Sequence, residues 1–204
     1  TLRRDDLQPH ERLEAVADIA EETTRLNRIV TEVLDFAKPI TYEFAEAHIN
    51  DICRSSVTAA WADRPYDTPA LELDASIPSM VTDAERLRAA LINILSNARH
   101  AVQAAHLPDG DAGVAVRTHT NGNGHVTVTI HDRGVGIAGD DLVHIFDPYF
   151  TTRRAGTGLG LPISKNIIEG MGGSLAVESQ RGIGTDVGIV SSMVFLAQFI
   201  LSLT

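Results

Sequence analysis

Two asparagines, Asn93 and Asn97, stand four residues apart in a run dominated by leucine, isoleucine and alanine. On a helix that spacing sets both amides on one face, one turn apart. An amide carbonyl can ligate a hard cation, and Mg2+ typically takes one or two protein ligands and completes its shell with phosphate and water. Such a pair also serves as satisfied core or cap amides, so alone it leaves both readings open. A second cluster, Asp132-Arg133-Gly134-Val135-Gly136-Ile137, follows the alternating stretch Val126-Thr127-Val128-Thr129-Ile130. A carboxylate at a strand end can accept a hydrogen bond from a ligand amino group, while the glycines let the chain turn tightly and approach closely. D-x-G-x-G is equally an ordinary turn. The third cluster is Gly156-Thr157-Gly158-Leu159-Gly160-Leu161-Pro162, placed before a helix. Its alternating glycines let successive N–H groups face phosphate oxygens, and the helix start adds partial positive charge. It lacks the Gly-Lys-Ser/Thr ending of a P-loop, and the second cluster lacks the G-x-G-x-x-G dinucleotide fingerprint.

Between these glycine clusters runs Ile145-Phe146-Asp147-Pro148-Tyr149-Phe150-Thr151-Thr152-Arg153-Arg154. Its three aromatics mark a local hydrophobic anchor inside a loop of roughly 20 residues, a length at which ordered loops often act as lids. Arg153 and Arg154 could meet a terminal phosphate or an acidic partner, or form a solvated basic turn.

These clusters need elements to hold them. Apolar residues from Leu7 to Lys38 recur three or four apart, predicting one long amphipathic helix with Pro9 in its first turn and Pro39 as its stop. Its length and coiled-coil-like spacing call for a partner helix, and nothing else in the sequence matches it in length. Helices are expected at Ile49 to Trp61, at Asp83 to Ala105 with Thr82 as cap, and at Pro162 to Met171, with a short helical piece around Leu142 to Phe146. Strands are expected at Ala70 to Leu73, Gly113 to Thr118, His125 to His131, Leu175 to Ser179 and Thr185 to Val190, the middle pair joined by the hairpin signal Asn121-Gly122-Asn123-Gly124. The fold class is therefore α+β, a two-layer α/β sandwich in which helices face one side of a mixed sheet.

Composition narrows the function. The 204 residues carry 17 Lys+Arg against 27 Asp+Glu, a net charge of −10 that disfavours nucleic acid as a partner. A lone cysteine, Cys53, forms no intrachain disulfide and suits a reducing compartment. The charged opening residues Arg3, Arg4, Asp5 and Asp6 do not read as a secretory leader, so a cytoplasmic location is expected. Val187 to Thr204 holds no charge and 12 apolar residues in 18, slightly short of the ~20 that span a membrane, which favours a buried strand and packed tail.

Taken in order, amide pair, D-x-G-x-G, aromatic loop and G-x-G-x-G resemble the ATP-binding catalytic domain of bacterial sensor histidine kinases, within the GHKL superfamily that includes gyrase-type ATPases. The N box is Asn93-Ile94-Leu95-Ser96-Asn97-Ala98, the first glycine box Asp132 to Ile137, the F box Phe146 to Thr152 and the second glycine box Gly156 to Leu161. Leu34-Asp35-Phe36-Ala37-Lys38-Pro39 is similar to the end of the second dimerisation helix of that family, and Phe-Asp-Pro-Tyr-Phe-Thr-Thr with Gly-Leu-Pro-Ile-Ser is most similar to its nitrogen-regulation type. The resemblance implies residues 1–40 as part of a dimerisation and phosphotransfer domain, 41–190 as the catalytic domain and 191–204 as an atypical apolar tail. It implies ATP and Mg2+ as cofactors, with Asn97 ligating the metal, Asn93 supporting it and Asp132 accepting from the adenine amino group. Gly134, Gly136 and Ile137 would line the base pocket, while Thr152, Gly156, Thr157, Gly158, Leu159 and Gly160 would surround the triphosphate. His100 falls where many members carry a phosphate-contacting Lys or Arg, with Arg99 beside it.

The same resemblance implies phosphoryl transfer to a histidine, a response-regulator receiver domain as partner, and a second kinase chain bound through the N-terminal helix. Membrane attachment would come only through segments absent from this sequence. Gyrase-type relatives carry a glutamate where Asn93 stands, and an asparagine cannot take a proton from water, so hydrolysis is disfavoured. A His-Glu-x-x-x-Pro phosphoacceptor box is missing: His10-Glu11 has Ala15 where the proline should be. A fragment beginning after the first dimerisation helix is expected. The alternatives are a nucleotide-binding module without autokinase activity and a serine kinase or anti-sigma regulator of the same superfamily.

Overall fold

The computed structural model describes residues 40–63, 67–107, 111–121, 124–153 and 156–192, together with 10, 13–20, 22, 23 and 30. Of the long helix expected over 7–38, the described residues are helical, and they expose Leu13, Val16 and Ile19 along one stripe. The remainder of that helix, the Gly122-Asn123 hairpin tip, Arg154 and the tail beyond residue 192 lie outside the described residues.

After Ile40 the elements run β1 (Ala45–Ala47), α1 (Ile49–Ala60), β2 (Ala70–Leu73), β3 (Met80–Thr82), α2 (Ala84–Ala105), β4 (Val114–Asn121), β5 (His125–Asp132), α3 (Gly139–Leu142), α4 (Gly160–Gly170), β6 (Ser174–Gln180) and β7 (Gly184–Ser192). Five strands form one sheet in the order β2-β4-β5-β7-β6. It is mixed, because β2 pairs with β4 in parallel and the other pairings are antiparallel. Along β5, Val126, Val128, Ile130 and Asp132 are buried while the residues between them are half-buried, so one face meets the core and the other meets water. On that open face the Arg117 guanidinium bonds both carboxylate oxygens of Glu72 across the β2–β4 pair, at 2.7 and 3.2 Å.

Helix α2 is the spine of the helical layer, packed between α1 and α4 and laid on β4, β5 and β7. Its stripe of Leu87, Ala90, Leu91, Ile94, Leu95, Ala98 and Val102 is buried. Each large aliphatic side chain so buried contributes about 1.5–3 kcal/mol, enough to hold the helix while the half-buried Asn93 and Asn97 take positions beside the stripe. Cys53 joins this core, where burial pushes its thiol up to about 12.

Several boundaries differ from expectation for local reasons. The cap of α2 is Asp83, not Thr82: the Asp83 carboxylate accepts from Arg86 N at 2.9 Å, while Thr82 belongs to β3. β1 and β3 form a separate two-stranded antiparallel pair, and at three residues each they are too short for alternation to register. Strand β4 continues to Asn121 rather than ending at Thr118, and the helical piece after β5 is Gly139–Leu142, sharing only Leu142 with the stretch Leu142 to Phe146 expected to be helical, whose residues 143–146 form turns.

The segment between the N-terminal residues and β1 is tied across two helices. Tyr42 Oη donates to the carbonyls of Asn166 and Ile167 on α4, at 3.2 and 3.3 Å, and its ring stacks on Phe44. Glu43 N donates to the second oxygen of Asp83 at 2.9 Å, so one carboxylate caps α2 and anchors the incoming chain.

Candidate functional site

A cavity of about 690 Å3 opens between α2, the end of β5, the loop after it and the start of α4. That volume lies in the usual range for small-molecule and cofactor pockets. Of the residues expected to bind nucleotide, Asn93, Asn97, His100, Asp132, Gly136, Ile137, Thr152, Gly156, Thr157, Gly158 and Gly160 line it. Residues widely separated in the chain are brought to one wall system by the packing of α2 on the sheet and on α4.

Two expected residues stand behind that wall. Gly134 packs on α2, where an added Cβ would sit 2.5 Å from Ala101 and 2.7 Å from an Asp132 oxygen. Its lack of a side chain lets the loop close on the helix rather than on a ligand. Leu159 is fully buried and anchors the glycine loop in the interior. Arg99 turns away from the cavity, donating to Ala60 O at 2.8 Å and to Asp63 at 2.6 Å, with its guanidinium 6.0 Å from the Trp61 ring centre.

The deep end of the site is built by strand register. Asp132 closes β5 opposite Thr185 on β7 and is only 4% exposed. Its carboxylate accepts from Gly134 N at 2.8 Å and from the Thr185 amide. Burial pushes its pKa above the ordinary value of 3.8, opposed by the Gly134 N–H, by nearby His131 and by the Thr185 amide. A buried acceptor with a free lone pair, held by two backbone amides, suits a ligand amino group. Gly136 then turns the chain with φ +63°, and any Cβ there would fall 2.1 Å from Gln180 O. Ile137 N donates to Ser179 Oγ at 2.8 Å, and that hydroxyl also bonds Thr185 Oγ1 at 3.0 Å. Thr185 also lines the cavity. The sequence clusters did not reveal it, because its place beside Asp132 comes from pairing between distant strands.

The shallow end is built by loop and helix termini. The first residues of α4, Gly160, Leu161 and Pro162, line the cavity, and no side chain caps that helix. Its initial N–H groups and positive dipole end thus face a space fit for an anion. Gly158, at φ +70°, would place a Cβ 2.4 Å from Tyr149 C, and its carbonyl accepts from Tyr149 N at 3.1 Å. This closes the aromatic loop at its base. The three aromatics do not form one anchor: Phe146 packs against the core, Phe150 lines the cavity, and Tyr149 is 61% exposed at φ +69°.

On the α2 side, Asn97 Oδ1 accepts from Arg153 Nη1 at 3.1 Å. His100 Nδ1 faces its own helix at Ser96 O, an acceptor, which puts the ring proton on Nδ1. Among the described residues no group of three or more His, Cys, Asp or Glu could hold a metal ion. The one amide oxygen of Asn97 fits a cation that arrives with phosphates supplying the rest of its ligands.

Comparison with known proteins agrees with this geometry. The family model for histidine kinase-, DNA gyrase B- and HSP90-like ATPases matches residues 82–193. The sensor histidine kinase ZraS of Salmonella typhimurium is 37% identical over 169 residues, covering 81% of this chain and 35% of its own length. Sporulation kinase E of Bacillus subtilis is 34% identical, covering 82% and 22%. The crystal structure of full-length ShkA in complex with AMPPNP superposes with a TM-score of 0.73 at 25% identity, over 91% of this chain and 39% of that one. The mycobacterial sensor histidine kinase MprB gives 0.61 at 25% identity, over 74% and 97%. The chain thus spans about a third or less of the curated relatives named here. No helix among the described residues is long and apolar enough to cross a membrane.

Proposed function

This chain belongs to the histidine kinase-, DNA gyrase B- and HSP90-like ATPases, and on that footing we propose that it is the ATP-binding catalytic part of a sensor histidine kinase, moving the γ-phosphate of ATP to a histidine in two-component signalling. The observation that carries this reading is the convergence of Asp132, Asn97 and the uncapped start of α4 on one cavity of nucleotide size. Asp132 accepts from the adenine amino group at the buried end. Asn97 offers its carbonyl oxygen to Mg2+, Asn93 supports it from one turn earlier, and the α4 amides with Gly156, Thr157 and Gly158 surround the phosphates. Bound with the nucleotide, Mg2+ would neutralise charge on the transferring group.

The residues present suit transfer to a nitrogen better than hydrolysis. Asn93 has no basic lone pair to deprotonate water, whereas a neutral imidazole already presents a lone pair and needs chiefly positioning and charge neutralisation. A receiver domain downstream, a second kinase chain on the apolar stripe that includes Leu13, Val16 and Ile19, and a cytoplasmic location belong to the same reading.

The test is ATP calorimetry with and without Mg2+, followed by transfer of radiolabel from ATP to an added fragment bearing a phosphoacceptor helix. Acid-labile label on that fragment is the expected result. ATP binding without any label would reduce the reading to a nucleotide-binding module, and absence of binding would overturn it.

A further inference from the structure

We propose that Arg153 is a specificity-determining residue that sets how strongly the site prefers metal-bound over metal-free nucleotide. This rests on the nucleotide reading above and goes beyond it. The Arg153 guanidinium donates to the Asn97 oxygen, at 3.1 Å, that a nucleotide-borne cation would take. Among the described residues lining the cavity, Arg153 is the one Lys or Arg. It therefore acts as a stand-in cation on the metal's own ligand.

Its backbone is fixed while its side chain can exchange partners. Arg153 N donates to Thr151 Oγ1 at 3.1 Å, and its carbonyl accepts from Gly156 N at 3.1 Å. A Cβ on Gly156 would fall 2.3 Å from that threonine oxygen, so glycine is what allows the turn to close. The guanidinium is thus delivered to α2 from a pinned turn.

Two occupancies of the site follow. A metal-free triphosphate carries its full negative charge, and Arg153 can stay on Asn97 while facing it with charge-assisted donors. A metal-bound triphosphate is partly neutralised and brings a second cation to the same oxygen. Like charges a few ångströms apart repel, so Arg153 must leave Asn97 when the metal arrives. The residue favours metal-free nucleotide and opposes the metal-bound form, which lets the metal reorganise the loop as it binds.

Calorimetry on the full chain with ATP in EDTA and in excess Mg2+ tests this, using Arg153→Gln and Arg153→Lys. Arg153→Gln should weaken binding in EDTA by about tenfold, the effect of losing one charge-assisted contact, and leave binding in Mg2+ unchanged or tighter. Arg153→Lys, which keeps the charge, should recover part of the EDTA affinity. In an Asn97→Ala background, where no oxygen is left for Arg153 and the metal to contest, Arg153→Gln should keep its cost in EDTA and bring no gain in Mg2+. An equal loss in both conditions, or none in either, would overturn the assignment while leaving the nucleotide reading intact. Failure of the unmodified chain to bind ATP in both conditions would overturn the two together.

Discussion

Asp132 and Arg153 face the same cavity from opposite ends and are held by different means. Asp132 sits at a strand end, almost fully buried, with backbone amides of Gly134 and Thr185 on its carboxylate. Arg153 sits on an exposed turn, and its side chain reaches α2 at Asn97. The first position is fixed by sheet register and cannot move without unpairing strands. The second can exchange its partner at little structural cost. The buried end of the cavity is therefore preorganised by the core, and the exposed end, which the proposed function gives to the phosphates, is left to be completed by its ligand.

The largest effect that would break this comparison is at the buried end. Asp132→Ala should weaken ATP binding by about thirtyfold or more, because truncating a buried charged partner costs roughly 2–5 kcal/mol. Calorimetry at constant Mg2+ measures it, with a thermal melt to verify the fold. A loss of only a few-fold would mean that the base is held elsewhere.

The glycines give a next, smaller contrast within one loop. Gly136→Ala forces a side chain into φ +63° and against Gln180 O, and should cost upwards of about 2 kcal/mol in denaturant unfolding. Gly139→Ala meets nothing within 4 Å at the start of α3, and should be neutral or stabilising by up to about 1 kcal/mol. Equal effects would show that the loop is not pressed on β6 as described.

The tie from Tyr42 to α4 should matter less. Tyr42→Phe removes a half-buried hydroxyl that donates to two helix carbonyls, and should lower stability by about 1 kcal/mol. A larger effect on nucleotide affinity than on stability would make this strap part of the site.

What could be read beforehand follows the same division. The long periodic α2 and the alternating β5 were legible because their patterns extend over several turns or pairs, and the glycine clusters because few other residues tolerate those turns. The cap shift from Thr82 to Asp83 and the short β1–β3 pair depend on single hydrogen bonds and three-residue pairings, which periodicity does not register. The resemblance put Gly134 and Leu159 in the right loops but on the cavity wall, whereas packing on α2 and in the interior turns both away from it. Thr185 was invisible because it reaches Asp132 through the β5–β7 register. The Arg153–Asn97 contact was invisible for a related reason, since a loop side chain chooses its partner only after the helix is in place.

The smallest effect concerns protonation of Asp132, and its sign follows from burial. Because the native carboxyl titrates above the ordinary 3.8, the folded chain binds its proton more tightly than the unfolded chain. Stability must then fall as pH rises from 3.8 through the native value, and this cost is absent below 3.8. The rise is opposed by Gly134, His131 and Thr185. Asp132→Asn has no such titration, and the stability of the unmodified chain relative to this variant should decline across that window and stay level at higher pH. Denaturant unfolding of both proteins over the acid range measures the difference. A relative stability that rises with pH would mean that the amides outweigh burial, and that the carboxylate is held for its charge rather than in spite of it.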